Sequence, residues 1–81
     1  MKHDPLIKNP LIVMISDLEI GDRVIITFKH PKTGRNRKMK ARVFSTDDNP
    51  NAKWIMDITF EVDGYFIQQT YDRTLDYLKL A

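Results

Sequence analysis

In the run Trp54-Ile55-Met56-Asp57-Ile58-Thr59-Phe60-Glu61-Val62, the residues Trp54, Met56, Ile58, Phe60 and Val62 take every second place. Side chains along a β-strand point alternately to opposite faces, so this period of two predicts a half-buried strand with Trp54 and Phe60 in the core. Asp63-Gly64 follows, and an Asp-Gly pair between apolar runs signals a two-residue hairpin. Tyr65 to Thr70 then reads as the returning strand.

Working toward the N-terminus, Arg37 to Phe44 alternates in the same way: Met39, Ala41 and Val43 share one face, and Lys38, Lys40, Arg42 and Phe44 the other. Arg23 to Phe28 places Val24, Ile26 and Phe28 opposite Arg23, Ile25 and Thr27. His30-Pro31-Lys32-Thr33-Gly34 joins these two strands as a hairpin loop, because proline presets φ at the first corner and glycine accepts the left-handed conformation. Asp47-Asp48-Asn49-Pro50-Asn51 reads as the next turn. Beyond Thr70, either a helix with Tyr71, Leu75 and Leu78 on one face or a short helical turn at Asp72 to Leu75 leads to the chain end, and the turn followed by a strand at Tyr77 to Leu80 is preferred. Pro5 and Pro10 exclude a long N-terminal helix. Residues 1–15 are thus expected to form an extended arm whose apolar end, Leu11 to Ile15, packs as an edge strand, with one domain over residues 16–81.

These 81 residues suit one small domain without internal repeats. Four strands joined by short turns make an antiparallel meander that must curl to bury its core. The expected class is all-β, a small barrel of about five antiparallel strands. With no cysteine, neither disulfides nor thiolate metal sites support it. The longest apolar run, Leu11 to Ile15, is too short to cross a membrane, and the chain reads as cytoplasmic with no membrane partner.

Leu18-Glu19-Ile20-Gly21-Asp22-Arg23-Val24 resembles the Leu-x-x-Gly-Asp-x-Val opening of SH3-like small barrels, which include KOW and Tudor-type modules. The resemblance covers roughly Ser16 to Leu80 and implies three further strands, a helical turn and a last strand. It also implies binding of nucleic acid, peptides or proteins, without choosing among them.

Charge is the more selective signal. The 13 Lys and Arg against 11 Asp and Glu net only +2, but residues 29–42 carry seven basic side chains and no acid, whereas residues 43–81 sum to −4. Lys29, Lys32, Arg35, Arg37, Lys38, Lys40 and Arg42 are therefore candidate phosphate contacts. Lys38, Lys40 and Arg42 are expected in a row at about 7 Å steps, with Lys32, Arg35 and Arg37 as the adaptable tip. Phe44 continues the row as a surface for stacking a base. Two bland readings stand beside this one: basic residues also protect sheet edges, and a basic face also suits an acidic protein. A second function class is an adaptor or inhibitor docking on a larger, nucleic-acid-processing protein through Leu6-Ile7 and Leu11 to Ile15.

Catalytic arrangements are poor, and the expectation is not an enzyme and no cofactor. The only histidines are His3 and His30, and His30 beside Pro31 reads as a loop residue. Asp47, Asp48, Asn49 and Asn51 lack the spacing of a cation loop and read as a solvated turn. No phosphate-cradling glycine motif is present. Tyr65, Phe66, Tyr71 and Tyr77 show no convergence into an aromatic cage.

Overall fold

The computed structural model describes residues 11–81, so the part of the expected arm before Leu11, with Leu6 and Ile7, lies outside the described residues. The elements are β1 (Ile12–Met14), a single 3-10 turn (Ile15–Asp17), β2 (Arg23–Lys29), β3 (Asn36–Asn49), β4 (Ala52–Val62), β5 (Tyr65–Asp72) and β6 (Tyr77–Leu80). They form one antiparallel six-stranded sheet in the order β1-β6-β2-β3-β4-β5. The chain is all-β.

The core follows the alternation. Val24, Ile26 and Phe28 of β2 meet Ala41 and Val43 of β3 and Ile58, Phe60 and Val62 of β4, closed at one side by Val13, Ile15 and Leu18. Each fully buried Ile, Val or Phe contributes about 1.5–3 kcal/mol of transfer free energy, the main force holding a chain without cross-links. Asp63 and Gly64 both take positive φ, 51° and 80°, which makes the hairpin between β4 and β5 the two-residue turn that the Asp-Gly pair predicts.

β3 shapes the molecule. Its first half, Asn36 to Arg42, pairs with β2, and its second half, from Arg42 to Asn49, pairs with β4. A register shift between Val43 and Ser45 leaves Phe44 unpaired, a bulge that bends the strand and lets the sheet curl. The curl brings β5 over β2, three places away in strand order. The Gln69 side-chain amide donates to the Thr27 carbonyl at 2.8 Å, and the Tyr65 ring meets His30 edge-on at 5.1 Å. No backbone ladder joins β5 to β2 among the described residues.

Three expectations are corrected. The C-terminal helical turn is absent: the Asp72 carboxylate accepts the Thr74 and Leu75 amide N–H groups at 2.9 and 3.1 Å, so these donors bond a side chain rather than helical carbonyls. The segment is a plain turn, and among the described residues the one helical turn lies before β2 instead. The turn expected at residues 47–51 is confined to Pro50 and Asn51, because Asp47 and Asp48 pair with Asp57 and Met56 and extend β3. Trp54 has the parity of Phe60 but is 60% exposed, because the start of β4 overhangs the core. His30 is a loop residue as expected, just after β2, but a buried one, packed between Phe28 and Tyr65.

Candidate nucleic-acid interface

Parity and cross-strand register decide where each basic side chain points. Thr27 faces Lys38, Ile25 faces Lys40, Arg23 faces Arg42, and Lys29 faces Asn36. These pairs share the outer surface, because the intervening Val24, Ile26, Phe28, Ala41 and Val43 are buried. Lys38, Lys40 and Arg42 thus stand in the expected row, one every 6.6–7 Å or so. Lys32 and Arg35 sit in the connection between β2 and β3, exposed at its tip. Arg37 departs from the tip: it lies within β3 opposite Phe28, on the core face, and is exposed because the hairpin runs past the end of the core.

His30 anchors this hairpin. Its Nε2–H donates to the Asp63 carboxylate at 2.8 Å while its Nδ1 accepts the Lys32 backbone N–H at 3.1 Å. The loop closes with the His30 N–H on the Arg35 carbonyl and the Gly34 N–H on the His30 carbonyl, both at 2.8 Å, with Gly34 at φ 72°. The basic tip is tied through one buried imidazole to the turn between β4 and β5.

Electrostatically the row is unequal. Arg42 donates through Nε at 3.1 Å and Nη2 at 2.5 Å to one oxygen of Glu61, its cross-strand neighbour on β4. Among the described residues, Lys29, Lys32, Arg35, Arg37, Lys38 and Lys40 form no ion pair. Two further cations join the outer face that were not counted from sequence. Arg23 was visible by parity alone, since it alternates with Val24. Lys79 was not: its place follows only from the pairing of β6 with β2, which sets Lys79 beside Ile25 and two strands, about 10 Å, from Lys40.

Five of the acids lie away from this face, Asp47 and Asp48 in the second half of β3, Asp57 in β4, and Asp72 and Asp76 at and after the end of β5, whereas Glu61 and Asp63 border it. Asp57 accepts from Thr70 at 3.0 Å and from the Asn49 amide at 3.3 Å, and Asp48 pairs with Arg73 at 2.6 Å. The Asp72 carboxyl is held below its ordinary value, chiefly by the hydroxyl of Thr74 and then by its backbone amide. Burial, reinforced by the nearby Asp76 charge, pushes the Tyr71 phenol up to about 12. These bonds satisfy the acidic residues from within the fold, which gives them a structural role. Among the described residues no group of three or more histidine and acidic side chains is placed to hold a metal ion.

Phe44 is exposed, as its place in the row requires, and it stands at the bulge without a register partner on β4. It has a partner that the sequence did not reveal: the Phe66 ring of β5 meets it edge to face at 4.8 Å.

No family model, curated protein or solved structure matches this chain. Its function is therefore read from the surface alone. Among the described residues no helix is long and apolar enough to cross a membrane.

Proposed function

We propose that this chain is a small nucleic-acid-binding protein that contacts phosphates through the basic β2–β3 hairpin with little sequence preference. The observation that carries this reading is the unpaired state of Lys29, Lys38 and Lys40 on one outer face, with Arg23 and Lys79 beside them and the carboxylate cluster at the far end of β3. Cations without internal partners retain their full attraction for a polyanion, and the separation of charge favours approach by this face. Lys32 and Arg35 at the tip and Arg37 on the reverse of the hairpin add contacts as a strand passes around its end. In this reading the chain binds and catalyses nothing.

We also read the curled sheet as an SH3-like barrel closed at one seam by side chains. Support comes from the meander of β2 to β5, the turn at Arg73 to Leu75, and a last strand returning beside β2.

The test is binding of a labelled oligonucleotide across a salt series. Affinity falls steeply with salt, and replacing Arg37, Lys38, Lys40 and Arg42 together with alanine abolishes binding while circular dichroism shows the sheet intact. A folded quadruple variant that binds like the parent rejects the proposal.

One observation favours a second reading, a protein-docking module. Among the described residues β1 pairs only with β6, and Leu11 and Ile12 are exposed at this edge, which suits strand addition by a larger protein. A partner captured through this edge stays bound after nuclease treatment and is lost when Ile12 is replaced by proline.

A further inference from the structure

Aromatic rings stand on the same outer surface as the cations, at its margins. Phe44 and Phe66 are 47% and 59% exposed, and Tyr77, two residues before Lys79 on the same face of β6, is 54% exposed. The Phe44 and Phe66 rings come from β3 and β5 and meet across β4 with an interplanar angle of 61°, so each braces the other while its remaining surface faces water. Leaving large apolar rings in water forfeits the gain from burying them, and the core nearby is otherwise filled with matching side chains. Phe44 points outward by the alternation of β3 and stands at a bulge, without a register partner on β4.

Resting on the phosphate-contact reading above, we propose that the ligand is single-stranded nucleic acid, its backbone on Lys38, Lys40 and Lys79 and its bases stacked on Phe44, Phe66 and Tyr77. A duplex offers the same phosphates but hides its base faces in its own stack, so it leaves these rings unused. A single strand offers both. The distances suit one short strand: Lys40 and Phe44 are four residues apart along β3, about 13 Å, and Lys40 and Lys79 are about 10 Å apart across the sheet. Glu61, which faces both Arg42 and Phe66, does not repel the strand, because Arg42 already neutralises it. Arg42 acts here as a shield for that carboxylate. Stacking tolerates any base, which agrees with low sequence preference.

The test compares three labelled probes by fluorescence anisotropy at low salt: a mixed-sequence strand of about 12 nucleotides, its blunt duplex, and an abasic strand of equal length. The wild-type protein binds the strand about tenfold or more tighter than either other probe, the gain expected from stacking one or more bases. The F44A/F66A double variant loses about tenfold or more on the strand and stays within about twofold of wild type on the duplex and the abasic strand. Wild-type protein that binds the duplex or the abasic strand as tightly as the base-bearing strand overturns the single-strand assignment and leaves the phosphate reading standing, whether or not the double variant folds. A folded double variant with undiminished strand binding overturns it as well. Absence of salt-dependent binding to any probe defeats the phosphate reading, and this assignment with it.

Discussion

If the proposed phosphate contacts hold, replacing Glu61 with glutamine is expected to tighten binding to nucleic acid. Glu61 holds the Arg42 guanidinium through Nε and Nη2, and both side chains are 41% exposed, so the ion pair is a surface one. Such a pair is worth no more than about 1 kcal/mol, and its loss leaves the fold intact. Glutamine nearly preserves the shape but no longer neutralises Arg42, which then turns to a phosphate. One added contact steepens the dependence of log affinity on log salt by about 0.7 for a single strand or about 0.9 for a duplex. Taking the non-electrostatic part as unchanged at about 1 M salt, the same slope gives a gain of about five- to eightfold at about 0.1 M. Its counterpart is that the R42A/E61Q double variant, which removes both charges of the pair, changes binding less than about twofold, whereas K40A, which removes a cation without a carboxylate partner, weakens it about five- to eightfold. Anisotropy titrations at five or six salt concentrations measure slope and affinity together. The reasoning is refuted if E61Q leaves both unchanged, or if R42A/E61Q is as damaging as K40A.

Phe60 and Trp54 lie on the same face of β4, yet F60A is expected to cost about 3–5 kcal/mol and W54A less than about 0.5 kcal/mol in urea unfolding, with Trp54 emission readily quenched by acrylamide. H30A removes a buried ring and both of its hydrogen bonds, which costs about 2–4 kcal/mol and speeds hydrogen exchange at the Lys32 amide; a cost below about 0.5 kcal/mol sinks the anchoring role. The Tyr71 phenol titrates near 10.0 in the unfolded chain and near 12 in the fold, so the folded state holds the proton more tightly. Stability is therefore fully present below pH 10 and declines as pH rises toward 12, and Y71F flattens that decline in alkaline unfolding curves. Asp72 has the opposite sign: its carboxyl is lowered from 3.8, so its contribution is present above that value and is lost as pH falls through the folded titration, an acid-side loss that D72A removes.

Two local properties of the sequence determined most of what is visible. The period of two in Arg23 to Phe28, Arg37 to Phe44 and Trp54 to Val62 assigns each residue to a face, because a strand reverses its side-chain direction at every step. Asp63-Gly64 and Pro31 to Gly34 place turns, because their backbones accept conformations that other residues resist. From these alone the all-β class, the buried Val, Ile and Phe set, and the outward row of Lys38, Lys40 and Arg42 were legible. So was the crowding of cations into one hairpin, since it is a property of one contiguous segment.

Tertiary structure decided everything that depends on which strand lies beside which. Alternation tells the face of Trp54 but not that the start of β4 extends past the core, so an apolar residue with the right parity stands in water. Pairing of β6 with β2 brings Lys79 to the cation face, and pairing of β3 with β4 removes Arg42 from it by setting Glu61 opposite; these partners are 54 and 19 residues away in sequence, by the numbering of Ile25 to Lys79 and Arg42 to Glu61. The bulge at Phe44 shifts the register from one half of β3 to the other, and it shows only when both neighbouring strands are in place. Local chemistry sets the direction of a side chain, whereas its neighbours are chosen by the packing of the whole chain, and for this protein those neighbours determine which charges remain free.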